Sequence, residues 1–128
     1  ILGGQIVGGD MRLYMIYPEG NFIEVSEEQP FFQIGETKYG KPILVRAYDK
    51  MMSYEEAIKL LMVSFDSTIK ADLSVGLPLD ICVYEKDSFE VSFKERIDKD
   101  NQYFRKLSDL WATRLKDAVL DLPNFSLK

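Results

Sequence analysis

Between Leu2 and Gly35 the chain leaves room for little except short strands and tight turns. Leu2–Val7 leads through Gly8-Gly9-Asp10 into Met11–Tyr17. Pro18-Glu19-Gly20-Asn21 then turns the chain into Phe22–Val25, and Phe31–Ile34 ends on Gly35. Gly8-Gly9 and Gly20-Asn21 supply the positive φ that tight hairpins need. Turns this short join antiparallel neighbours. The expectation is an antiparallel meander. It starts at the first residue, with no initiator Met and no polar lead-in, so the chain reads as a piece of something longer.

The period then changes. Ile43, Leu44, Ala47 and Met51 recur at helical spacing within Tyr39–Met51, and Pro42 sits where a first turn tolerates it. Ser53-Tyr54-Glu55-Glu56 is a capping-box pattern that opens a second helix. Ala57, Leu60, Leu61, Phe65 and Ile69 line one face of it, and Ile58, Met62 and Val63 widen that face. This helix is expected to end near Ala71, before Gly76 and Pro78. Ile81–Glu85 reads as a core strand, and Lys86-Asp87-Ser88 turns it into Phe89–Lys94. A charged stretch from Lys94 to Asp100 leads to a last helix with Phe104, Leu107, Trp111 and Leu115 on one stripe. Residues 120–128 are expected to be an extended tail. Strands and helices fall in runs, so the class is α+β, with residues 1–128 as one domain.

Composition narrows the chemistry. The 128 residues suffice for one core. The net charge is −5, with no basic run, which argues against a nucleic-acid partner. No apolar run reaches membrane-spanning length, so no membrane partner is expected. The single Cys82 excludes an internal disulfide and fits a reducing cytoplasm. There is no His, which removes Ser-His-Asp and Cys-His catalysis and argues against a zinc site. No metal or cofactor is expected.

Several stretches point to one family. Gly3–Tyr14 resembles the mid-chain hairpin of proteasome β-type subunits, where a glycine-bearing strand turns into an x-Leu-Tyr strand. Gln33–Gly40 resembles the Gly-Ser-Gly segment that follows there, and Asp80–Glu85 resembles the late core strand of the bacterial two-component proteasome-like peptidase. Gly20–Glu24, Gln33–Leu44, Ser64–Thr68 and Leu73–Pro78 are similar to Anbu, the ancestral-β-subunit proteasome homologues of bacteria. The similarity runs from Gly3 to Asp121. It implies an N-terminal-nucleophile hydrolase fold, a four-layer α-β-β-α sandwich with antiparallel sheets. In that fold a Thr, Ser or Cys at the mature N-terminus attacks a carbonyl, and its own α-amine helps carry the proton. Ile1 has no nucleophilic side chain, and the family's lysine and aspartate belong to its first half. The resemblance therefore makes this chain a C-terminal half, without an N-terminal half that would complete it.

The family's second half holds auxiliary residues behind the nucleophile. Asp72-Leu73-Ser74-Val75-Gly76 stands where the family has Asp-x-x-Ser-Gly, one residue shorter between Asp and Ser. The resemblance makes Asp72 and Ser74 the auxiliary pair, hydrogen-bonding the α-amine and the nucleophile hydroxyl. The ordinary alternative is that they end a helix and start a turn. Gly35-Glu36-Thr37 stands at Gly-Ser-Gly. There Glu36 would accept from the amine and Thr37 would supply a hydroxyl, and the alternative is that Thr37 caps the next helix. Asp80 reads as a residue at the start of a strand, and Cys82 as core rather than nucleophile. Trp111, Tyr14, Tyr17 and Tyr84 read as core or interface aromatics.

Two functions follow from different classes. One is the C-terminal part of a cytoplasmic proteasome-type peptidase that acts on peptide or amide bonds, assembled from identical subunits in a ring or helical oligomer. The other is a non-enzymatic, self-associating scaffold of the same fold. A small-molecule amidohydrolase of the same fold is a third option. A nucleophile upstream, at family spacing from an Asp and a Lys, separates enzyme from scaffold.

Overall fold

The computed structural model describes residues 1–127. Lys128, the last residue of the expected tail, lies outside the described residues. The N-terminal meander is present as three strands, β1 (Leu2–Gly4), β2 (Arg12–Ile16) and β3 (Phe22–Glu24), antiparallel in that order. Leu2 pairs with Tyr14, and Tyr14 with Glu24. The β2–β3 turn closes through Gly20 N–H to Tyr17 O at 3.0 Å, with Gly20 at φ 89°. Only a residue without Cβ takes that conformation freely.

Two of the expected strands differ. β1 stops at Gly4 and not at Val7, because the Ile6 carbonyl is taken by Gly9 N–H in a turn at 2.8 Å. Phe31–Ile34 forms no ladder. Pro30 brings no N–H to pairing, and Phe31 packs edge-on against Tyr48, ring centroids 6.2 Å apart.

Helix α1 covers Lys41–Ala47, well inside the expected Tyr39–Met51. Asp49 ends it early: its carboxylate accepts Met51 N–H at 2.8 Å and its carbonyl accepts Met52 N–H at 3.1 Å. Such local bonds compete with the helical ladder. Helix α2 covers Tyr54–Ala71 and starts with the expected box. Ser53 Oγ accepts Glu56 N–H at 3.2 Å, and Glu56 Oε2 accepts Ser53 N–H at 3.0 Å.

Strands β4 (Leu79–Tyr84) and β5 (Val91–Ile97) form a separate antiparallel pair, in register from Leu79↔Ile97 to Tyr84↔Val91. The expected second strand, Phe89–Lys94, is thus displaced toward the C-terminus. Asp87 (φ 64°) and Phe89 (φ 55°) are both left-handed, which places Phe89 in the turn and not the ladder. Helix α3 covers Gln102–Leu120, with Asn101 Oδ1 accepting Phe104 N–H at 2.9 Å. It includes Leu120, and residues 123–127 carry no regular structure.

The core lies where α2, α3 and the β4–β5 pair meet. Met62, Ile97 and Phe104 are its buried centre, with Ile58, Leu79 and Leu107 packed around them. Cys82 is exposed, contrary to the core position expected of it. Side chains alternate along a strand, and Ile81 and Val83 take the covered side while Cys82 points away. Leu61 and Phe65 of α2 are also only partly covered, at 46% and 44% exposure. Trp111 is half-buried, its indole N–H 3.3 Å from Ser67 Oγ.

The meander makes no extended contact with the helices or with the β4–β5 pair. One clasp reaches across. Gln5 Nε2 donates to Asp87 Oδ1, and Asp87 N–H donates back to Gln5 Oε1, both at 2.7 Å. The chain exposes 10335 Å². A compact monomer of this length exposes about 7,000 Å².

Candidate functional site

The first candidate segment links the meander to α1. Gly35 turns the chain at φ 77°. Glu36 Oε1 then accepts Lys38 N–H at 2.8 Å. The Thr37 carbonyl accepts Lys41 N–H at 3.0 Å. Gly40 is the N-cap of α1, and no side chain caps that helix, so Thr37 does not serve as its side-chain cap.

The second candidate segment is the end of α2. Asp72 is the C-cap, and its N–H donates to Thr68 O at 2.9 Å. Its Oδ1 accepts both Ser74 N–H at 2.8 Å and the Ser74 hydroxyl at 2.7 Å. The Ser74 hydroxyl holds the Asp72 carboxyl below the usual carboxylate range. The Ser74 N–H adds to this, as does the positive charge of Lys38, while desolvation opposes it. Hydrogen bonds to the ionised form favour that form. Asp72 is therefore an anion with Oδ2 still open to a donor. Ser74 spends its proton on Asp72 and keeps lone pairs that can accept. The helix-ending role and the hydroxyl-orienting role use the same bonds, so one geometry accommodates both.

Gly40 brings the two segments together. It is buried against α2, where a Cβ would overlap Ser64 Oγ and stand 3.1 Å from Thr68 Oγ1. No hydrogen bond or ion pair joins Glu36 or Thr37 to Asp72 or Ser74 among the described residues. Thr37 instead opens on a cleft of about 630 Å³, lined by Met15, Tyr17, Gln33, Lys41 and Tyr48 among others. Gln33 Oε1 is buried with no hydrogen-bond partner among the described residues. Lys38, Gly40 and Gln33 lie in the Gln33–Gly40 stretch that carries the resemblance, but the sequence marks none of them as a site residue, because their surroundings come from across the fold.

The remaining candidates sit elsewhere. Asp80 takes both its carboxylate oxygens to Arg96 Nη1 at 3.1 Å, an exposed cross-strand pair. Among the described residues, no group of three His, Cys, Asp or Glu side chains is placed to hold a metal ion. No helix among them is long and apolar enough to cross a membrane.

No protein-family profile matches the chain. It is 33% identical over 95 residues to a proteasome β subunit of Haloquadratum walsbyi, an alignment covering 74% of this chain and 37% of that protein. It superposes on Anbu from a Hyphomicrobium species with a TM-score of 0.93 and 51% identity, covering 98% of this chain and 54% of that one. A chain from the helical assembly of the Anbu complex of Pseudomonas aeruginosa gives 0.91 and 46%, covering 98% and 52%. The chain thus spans about half the length of these solved structures. Identity at this level, with near-complete superposition of mixed helices and antiparallel sheets, makes the chain a member of the Anbu family of proteasome β-subunit homologues.

Proposed function

We propose that this chain is the C-terminal part of a cytoplasmic proteasome-type peptidase. The intact protein hydrolyses peptide or amide bonds through an N-terminal nucleophile carried by its N-terminal half. That half completes a four-layer α-β-β-α sandwich, and identical subunits assemble in a ring or helical oligomer, as Anbu of Pseudomonas aeruginosa does in its helical assembly. Asp72 and Ser74 are the auxiliary pair. Asp72 accepts from the nucleophile's α-amine, and Ser74 hydrogen-bonds the nucleophile's hydroxyl. Glu36 and Thr37 are the weaker auxiliaries.

The observation that carries this reading is the Asp72–Ser74 pair itself. An anionic carboxylate orients a hydroxyl at 2.7 Å, and the resemblance aligns this loop with the family's auxiliary group. The test is acylation of the full-length protein by a peptide β-lactone, with the adduct located by mass spectrometry. An adduct on the mature N-terminal residue, lost when that residue is changed to Ala, is the expected result. No N-terminal adduct, in a protein that still assembles, would overturn the reading. It would favour the self-associating scaffold, which the large exposed apolar surface also suits.

A further inference from the structure

We propose that Asp66 is a docking residue for the N-terminal half: its buried carboxylate takes a Lys or Arg side chain carried by a strand that this half lays along the open edge of β4. This rests on the N-terminal half of the proposed function and not on the nucleophile's chemistry.

Asp66 lies on the inner face of α2. It stands one turn after Met62 and one turn before Ile69, and side chains three and four apart share a helix face. Met62 is at the centre of the core, and Ile69 packs against it. Asp66 is 5% exposed, as enclosed as Met62. A carboxylate withdrawn from water needs donors or a cation in exchange. Its polar neighbours on α2 have their partners. Thr68 Oγ1 donates to Ser64 O at 2.9 Å, and Ser67 Oγ accepts the Trp111 indole N–H. The Asp66 carboxylate accepts no hydrogen bond among the described residues. The ion pairs among them are Arg12–Glu24, Arg96 with Asp80 and Asp98, and Arg105–Asp100. Lys70, one turn on, is exposed and forms no ion pair with Asp66.

The approach to Asp66 is open on one side. Strand β4 pairs with β5 along one edge and has no ladder along the other. A groove of about 320 Å³ runs between β4 and α2. Leu61, Met62 and Phe65 line it on the helix and Pro78–Cys82 on the strand side, with no residue of β5. Leu61 and Phe65 are only partly covered. An unpaired edge beside an uncovered apolar wall is a template for a further strand, and two strands alone are marginal. Nearly half of the superposed Anbu chain lies outside this one, enough to supply that strand. The groove cuts down to Met62 in the core, so its cover belongs to the same subunit and not to a second copy. Met62 is also one turn from Asp66. The aliphatic stem of a Lys or Arg can run along Met62 and deliver its charge at the carboxylate. A cation satisfies the oxygens and the charge together, which a neutral donor does not. The pair also fixes register. A slip of one residue would turn the cation to the other face of its strand and leave Asp66 alone again.

The test is a structure of the full-length protein, followed by a double-mutant cycle on the contact it shows. A Lys or Arg nitrogen of the N-terminal half within hydrogen-bond distance of an Asp66 oxygen, on a strand paired with β4, is the expected result. A partner supplied by water or by a second subunit would overturn the inference, as would none at all. Asp66→Asn should lower Tm by roughly 5–15 °C. Neutralising the basic partner as well should cost little more, and Asp66→Leu with Met at the partner position should recover most of the loss. Additive losses would overturn the pairing. Where a variant fails to fold, the structure decides alone. The β-lactone result is read separately. A basic partner at Asp66 without N-terminal acylation would sink the enzymatic reading and leave the docking contact standing. Acylation with Asp66 unpaired would do the reverse.

Discussion

Asp72 is held as an anion by its own loop, and this sets a sign for the pH dependence of stability. Its carboxyl sits below the usual range in the folded state because Ser74 donates to it twice. Its contribution is therefore present above the unfolded carboxylate pKa and is lost as pH falls through the folded one. In Asp72→Asn, thermal melts of the full-length protein between about pH 3 and pH 6 should show a shallower acid decline than wild type. At neutral pH the same variant should lose more turnover than stability. A preserved rate with a large fall in Tm would support the helix-ending role alone. Asp72 and Ser74 enter as site candidates through the family resemblance, whereas the local Asp-x-Ser pattern by itself encodes only the turn they make.

At the scale of elements, the burial of Ile97 fixes the register of the β4–β5 pair. At 1% exposure it is the most enclosed large side chain described, and it stands opposite Leu79 against α2 and α3. Ile97→Ala should cost about 2–5 kcal/mol, as deletions in packed cores do, measured by denaturant unfolding of the full-length protein. The sequence hides this strand. Lys94, Glu95 and Arg96 look like a solvated linker, but as part of a strand with an exposed face they need no burial, and Arg96 finds Asp80 across the ladder. The α2 start is fully legible because Ser53 and Glu56 encode it without help from elsewhere. The Phe31–Ile34 segment misleads for the opposite reason: Phe31 packs edge-on against Tyr48 at the end of α1, Ile34 is exposed, and the segment reaches no strand partner among the described residues. Cys82 misleads too, because an apolar run does not say which of its alternating side chains finds a cover.

For the molecule as a whole, exposed area outweighs burial. An excess of about 3,000 Å² over a compact monomer, rich in Leu, Phe, Val and Ile side chains, asks for a covering surface. The isolated chain should therefore not behave as a monomer. Light scattering should give a mass above that of one chain, and a single monomeric species with reversible cooperative unfolding would contradict this. Fluorogenic peptides should stay intact in its presence. The Gln5–Asp87 clasp has a consequence of another kind. It ties together residues 82 positions apart, whereas the meander's own pairings are local. With this clasp as a latch, the meander should open independently of the body built on α2, α3, β4 and β5. Hydrogen exchange on the full-length protein should resolve them, with β2 amides losing protection before those of β4 and α2. Gln5→Ala should widen that gap while leaving the slower set unchanged. The latch would then set how long the first unit stays shut, and not how well the second one is built.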